Sequence, residues 1–272
     1  MPAGMKLVAM ARVPARPDEA ARAMADAAGV ALAEARMRLA PEPPALVARL
    51  EASKADALAA ALRRVGVAAL SLDARVPSDR DRTAACSFAF TGAGATFTPR
   101  FGDPMEVSWP EVAIVLRGLR ASRSEVERSE KVRGFSLTTA VATGGLKMTR
   151  TSARTVRSSE EASEQVILVY ARDGRTALLA ERQVDFACLG PGMQPSSTAN
   201  MAELARRLRE RATGAFHDER LLRLGRRPLP FLACGESRSQ TATLAVTRTD
   251  TGGSLDVLAE VLRQAVLARL LP

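Results

Sequence analysis

Histidine and cysteine, the side chains that most often move protons or hold transition metals, are scarce here. One histidine, His217, stands in a chain of 272 residues. A helical H-E-x-x-H zinc site needs two imidazoles one turn apart, so it is excluded. The cysteines Cys86, Cys188 and Cys234 are far apart and form no C-x-x-C pair, which argues against a zinc ribbon or knuckle. An odd number of widely spaced thiols fits a reduced, cytosolic chain. The apolar runs around Cys86 and Cys188 predict buried thiols within strands. Long hydrophobic runs are missing too. The longest, 57–62, stops at Arg63 and Arg64, well short of the roughly 20 apolar residues that cross a bilayer. The N-terminus has no signal-peptide pattern. The expectation is a cytoplasmic protein with no transmembrane segment, metal or cofactor.

What is abundant is arginine and alanine. Lysine occurs only at positions 6, 54, 131 and 147, yet the formal net charge is +9. Such a balance speaks to non-specific attraction for polyanions and not to fold. The GC-rich codons shared by arginine and alanine offer a compositional origin for the same charge. An apolar fraction of 47% fits a folded globular chain, and the length is enough for two domains.

Residues 5–13 suit a strand ended by Pro14 and Pro17. Asp18 and Glu19 supply the acidic first turn of a helix that Gly29 closes. Leu32, Ala35 and Leu39 recur at helical spacing up to Pro41. Residues 44–50 read as a strand. Ser53 and Asp56 resemble a capping box for a helix with Leu58, Ala61 and Leu62 on one face, ended at Gly66. Residues 67–72 give a last strand, so the order is β-α-α-β-α-β. The run from Gly29 to Arg36, then Pro44 to Val47, then Ser53 to Leu70 resembles the C-terminal domain of the bacterial ribosomal stalk protein. The substrate-delivering adaptor of the Clp protease shares that general fold. The resemblance covers about residues 5–73, a quarter of the chain. It implies a docking face on the first two helices, with Arg22 and Arg36 where that family has lysines and Leu32 at an apolar contact position. Ala25 and Ala33 replace positions that are usually charged there, and a large unrelated region follows. The same arginines also suit the solvated face of two amphipathic helices.

Pro77, Ser78 and the alternating charges of 79–82 read as a linker, which divides the chain into domains at 1–75 and 84–272 with 76–83 between them. Beyond it the period becomes strand-like. Strands are expected at 86–90, 96–101, 105–109, 112–119, 165–170, 176–180 and 184–189. Asp173-Gly174 marks a tight hairpin. Asn200 with Glu203 starts a helix bearing Met201, Leu204, Ala205 and Leu208. Ser254 caps a last amphipathic helix with Leu255, Leu258, Leu262 and Val266 inward. The fold class is α+β: a small β-α-α-β-α-β domain, then a larger β-rich domain closed by helices. The stretch 105–114 resembles small pleckstrin-like barrels, in which one strand bends into the next.

No segment spells a catalytic motif. Gly92 and Gly94 lack the third glycine of a dinucleotide fingerprint, and Gly144-Gly145 with Lys147 misses the Walker spacing. His217 beside Asp218 and Glu219 has the elements of an oriented base but no evident nucleophile. Trp109, the sole tryptophan, reads as a core anchor. Between Arg117 and Arg157 lie ten Arg or Lys residues against three Glu. Lys131, Arg133, Lys147 and Arg150 flank a hydroxyl-rich run suited to phosphates or anionic headgroups. Phe135 is the one aromatic there, so base stacking is poorly served. The alternative is a solvated β excursion kept soluble by its arginines. The expectation is a non-enzymatic binding protein, an adaptor docking a protein through Arg22, Leu32 and Arg36. The second reading is nucleic-acid or membrane-surface binding through Lys131, Arg133, Lys147 and Arg150.

Overall fold

The computed structural model describes residues 4–74, 77–135, 149–231, 235–240, 244–250 and 252–271, with side chains described outside 121–162 and 232–252. It is an α+β protein. The first elements are β1 (Met5–Met10), α1 (Pro17–Ala28), α2 (Leu32–Leu39), β2 (Ala45–Glu51), α3 (Ala52–Arg64) and β3 (Ala69–Asp73), in the expected order. Pro17 and the acidic Asp18 and Glu19 open α1, and Gly29 ends it. At α3 the expectation needs correcting. The helix begins at Ala52 with Glu51 as its cap residue and no side-chain cap bond, so Ser53 lies inside the first turn. The strands form an antiparallel sheet of order β2-β1-β3. Its period-2 alternation buries both faces. Val8 and Met10 point to α1–α3, where Met24, Ala35, Leu58 and Leu62 complete a core. Leu7, Ala9 and Ala11 enter a different core on the opposite face.

The chain divides into two compact units, one of residues 1–120, 163–232 and 251–272, the other of 121–162 and 233–250. The first unit also holds a mixed sheet built from β4 (Thr83–Phe90), β5 (Gly94–Pro99), β6 (Met105–Ser108), β7 (Val112–Phe135), β8 (Thr149–Ala171) and β9 (Thr176–Ala180). Its order is β7-β8-β9-β4-β5-β6, with β10 (Phe216–Asp218) parallel to β7. β4 pairs with β9 in parallel. That crossover replaces the meander expected of a pleckstrin-like barrel. No pairing among the described residues closes the sheet on itself. In the second unit β11 (Gly235–Gln240) pairs antiparallel with β12 (Leu244–Asp250), which pairs antiparallel with β7 from Ser122 to Arg128.

Tyr170 and Thr176 face each other at the end of the β8–β9 hairpin, where Gly174 takes the φ of 92° that the turn requires. Residues 184–189 do not form the expected strand. Phe186–Gly192 is a 3-10 segment whose start is held by the Asp185 carboxylate accepting from the Ala187 N–H. Asx-turn chemistry and Gly190-Pro191 outweigh the short apolar run. Cys188 is consequently exposed, not buried, and Cys86 is half-buried with its Sγ against the Thr98 carbonyl. Cys234 lies outside the described residues. α4 (Ser197–Arg211) is capped by Ser196, not by Asn200. Asn200 is instead buried, its amide bonded to both the N–H and the carbonyl of Gln194. Trp109 is buried, as expected, and its indole N–H donates to the Thr91 carbonyl.

α6 (Gly252–Leu267) is the expected amphipathic helix, with Leu255, Leu258 and Leu262 buried and Val266 packed against the same core, but it begins before Ser254. Beside a polar stripe of Asp256, Glu260, Arg263 and Gln264, residues Leu255, Val257, Leu258, Ala259, Val261 and Leu262 are all buried, so the apolar face is wide. They join one core with Leu7, Leu70 and Leu72 of the first sheet and Ile114, Leu116, Val166 and Leu168 of the second. A helix with apolar neighbours on both sides needs this composition. The alternate residues of the second sheet, among them Val115, Ile167, Val169 and Leu179, face Met201, Leu204 and Leu208 of α4. Gly118 of β7 is the close-approach point, because a Cβ there would lie 2.3 Å from Leu255 Cδ1.

The segment that carries α5 (Leu221–Leu224) is stitched to the first domain by arginines. Arg220 donates to the carbonyls of Ala11 and Pro43, and Arg227 to those of Glu42 and Pro44. Arg223 pairs with Glu42.

Candidate functional site

The helix pair α1–α2 places two of the expected docking residues on one surface. Arg22 and Arg36 are both exposed, and Leu32 is half-buried against the helical core. Asp18 lies one turn before Arg22 on α1, and its carboxylate accepts from the Arg36 guanidinium of α2 at 2.9 Å. Arg22 has no ion pair among the described residues. Between Arg36 and Arg38 stands Met37, 75% exposed. Its neighbours on the helix are engaged otherwise: Arg38 pairs with Glu34 and lies over the Phe231 ring. Met37 was not singled out by the sequence. The signal available was an unbranched apolar residue on the face opposite Ala35.

Of the expected polyanion residues, Lys131 and Arg133 lie on β7 and Arg150 on β8. Only their backbone is described. Lys147 and the Gly144-Gly145 pair lie outside the described residues. His217 lies on β10 opposite Val115, and its Nε2 is 2.9 Å from the Ala212 carbonyl. The space beside it, about 10 Å³, has room for roughly one water.

The stretch read as a linker is an ordered part of a charged cluster. Residue 76 lies outside the described residues. Asp79–Asp81 forms a 3-10 turn capped by Ser78, and β4 starts two residues later. Arg82 is held 2.5 Å from Asp256 of α6 and 3.4 Å from Asp79. Arg120 reaches both Asp79 oxygens at 2.9 Å and Asp256 at 3.4 Å. Burial opposes the charge of Arg82, yet Asp256, with Asp79 beside it, contributes to holding the guanidinium above its ordinary pKa. Burial likewise pushes the Asp256 carboxyl up, with Arg82 and Arg120 acting against it.

Beside this cluster opens a cleft of about 590 Å³. It is lined by β3, residues 77–82, the β8–β9 hairpin and the polar stripe of α6. Glu260, Arg263 and Gln264 belong to that stripe, where Arg263 donates Nε and Nη2 to the two Glu260 oxygens. Tyr170 lines the cleft at 5% exposure, and its hydroxyl has no hydrogen-bond partner in the structure. Desolvation by burial drives its pKa well above the ordinary 10, so the phenol stays protonated. Sequence reasoning missed this site. Asp256, Glu260 and Arg263 at i, i+4 and i+7 in an otherwise apolar helix were the legible sign.

Among the described residues, no helix is long and apolar enough to cross a membrane. Nor does any group of three His, Cys, Asp or Glu converge as metal ligands do. No protein-family model, curated protein or solved structure matches the chain.

Proposed function

We propose that the chain acts by binding and not by catalysis, as a protein-interaction adaptor that docks its partner on the α1–α2 face. The observation that supports this reading most is Met37, an adaptable apolar side chain left 75% exposed between Arg36 and Arg38 in the sequence of α2. Leu32, on the same helix, is half-buried toward the helical core. An acidic partner segment with an apolar side chain complements such a surface: the apolar group covers Met37 and the carboxylates meet Arg22 and Arg36. The resemblance of residues 5–73 to the stalk-protein domain leads to the same two helices.

The test is affinity capture with the wild type and with Arg22→Glu/Arg36→Glu, after circular dichroism has established equal folding. Loss of specific partners from the double variant is the expected result, and identical partner sets would overturn the docking face. The ten basic residues between Arg117 and Arg157 favour a second reading. Binding to RNA, DNA or anionic vesicles that falls steeply with salt would favour it, provided that neutralising Lys131, Arg133, Lys147 and Arg150 abolishes the binding.

A further inference from the structure

The outer edge of the first sheet opens into the polar cleft. Among the described residues β3 pairs only with β1, so its other edge has no strand beside it. The register sets Ala9 against Leu70 and Leu7 against Leu72, and just before β3 the Ala68 carbonyl accepts from the Ala11 N–H at 2.9 Å. Hydrogen-bonded and non-hydrogen-bonded pairs alternate along an antiparallel ladder, so Ala68, Leu70 and Leu72 turn their backbone groups toward β1. Ser71 and Asp73 turn theirs away from it. Among the described residues nothing bonds to those outward N–H and C=O groups. Both residues line the cleft. Ser71 is half-buried although its hydroxyl is wholly covered, so what it exposes is backbone and Cβ.

An unpaired edge is a template for another strand, and proteins commonly blunt it with Lys, Pro or a covering element. Ala69–Asp73 contains neither Lys nor Pro. Beyond it lies a space of about 590 Å³ lined by residues 77–82, the β8–β9 hairpin and the polar stripe of α6. A second folded sheet brings a covering layer about 10 Å away, which these walls obstruct. A single extended segment, at roughly 3.3 Å per residue, does not meet that obstacle. Charge selects among such segments. Lys6 is engaged by Asp56, Arg82 by Asp256 and Asp79, and Arg263 by Glu260. Asp73 is exposed and has no ion pair among the described residues. We propose that β3 takes up an extended basic peptide of a partner protein as a further strand, in the order β2-β1-β3-peptide. The outward groups of Ser71 and Asp73 bond to its main chain, and a Lys or Arg stands across from the Asp73 carboxylate. This edge is separate from Arg22 and Arg36, so it stands or falls independently of the α1–α2 docking face.

Amide hydrogen exchange of the full chain, resolved by residue with NMR, tests this. In the free protein the Ser71 and Asp73 amides should exchange at least about ten-fold faster than those of Leu70 and Leu72. The probes are capped hexapeptides in which Lys or Arg alternates with Thr or Val, their counterparts with Glu for each cation, and copies of the basic peptides N-methylated at every amide. At least one basic peptide should slow the Ser71 and Asp73 amides about ten-fold at saturation. Its Glu counterpart should bind about five-fold more weakly, and its methylated copy should give no protection. Asp73→Lys should reverse the preference toward the Glu peptides, and Arg22→Glu/Arg36→Glu should leave binding unchanged. The proposal is overturned if no basic peptide protects these amides, if the methylated copies bind equally, or if the preference survives Asp73→Lys. Ser71 and Asp73 amides as protected as those of Leu70 and Leu72 in the free monomer would also overturn it. Protection that rises with protein concentration alone, alongside a dimer in sedimentation, would give the edge to a second copy and overturn it as well.

Discussion

At the scale of single residues, Tyr170 makes the clearest claim. A buried hydroxyl without a partner costs about 1–3 kcal/mol, so Tyr170→Phe should leave stability unchanged or raise it. Urea denaturation measures this, and a loss above about 1 kcal/mol would mean that the hydroxyl is satisfied in the folded protein. The same burial has a pH consequence. The phenol loses its proton near pH 10 in the unfolded chain but only at higher pH in the folded one. Its contribution to stability is therefore complete below pH 10 and declines as the pH rises beyond it. Ultraviolet titration of this sole tyrosine should show no phenolate at pH 10–11 until the chain unfolds. Ionisation at its ordinary pH in a still-folded protein would contradict the placement. Gly118 makes the opposite kind of claim. A methyl group there meets Leu255 Cδ1 and Leu221 Cβ, so Gly118→Ala should cost about 1–3 kcal/mol.

At the scale of elements, α6 combines an apolar surface with one polar stripe, and the buried end of that stripe answers Arg82. Removing one partner of such a pair strands the other charge in a dry site. Asp256→Ala or Arg82→Ala should each destabilise by about 3–5 kcal/mol, while Arg82→Met/Asp256→Leu should recover much of the loss. A double variant no more stable than the singles would show that the network contributes more than its mutual neutralisation. These elements also show what the sequence made legible. Period and cap residues located α1, α2, α3 and the β8–β9 hairpin because their signals are local: Pro17 and Gly29 at the ends of a helix, Asp173-Gly174 at a turn. The charged run 79–82 looked like a linker because the partners of Arg82 and Asp79 are Asp256 and Arg120, far along the chain. The leucines of α6 mark its inward face, but nothing local announces that this face serves two sheets. Residue type predicts a cap at Ser254, and the spacing of Asn200 to Glu203 predicts one at Asn200. Both lie past the true helix starts and are buried, one in a core-facing turn and one bonded to Gln194.

At the scale of the molecule, the first compact unit stacks α1–α3, a sheet, α6, a second sheet and α4. The first sheet therefore has no free face. Leu7, Ala9, Leu46, Leu70 and Leu72 are covered by residues from beyond position 110. Residues 1–75 alone should expose that surface, melt well below the whole chain and self-associate in sedimentation experiments. A monodisperse fragment with an undiminished melting temperature would show that the shared core adds nothing. The covering role of α6 also bears on synthesis. Both sheets of this unit are translated before residues 252–267, and at roughly 5–20 residues per second the ribosome releases them seconds ahead of the helix that joins them. During that interval the nascent polypeptide presents two oily, strand-lined surfaces to the cell. Holdase chaperones recognise such surfaces, and the emergence of α6 ends their access.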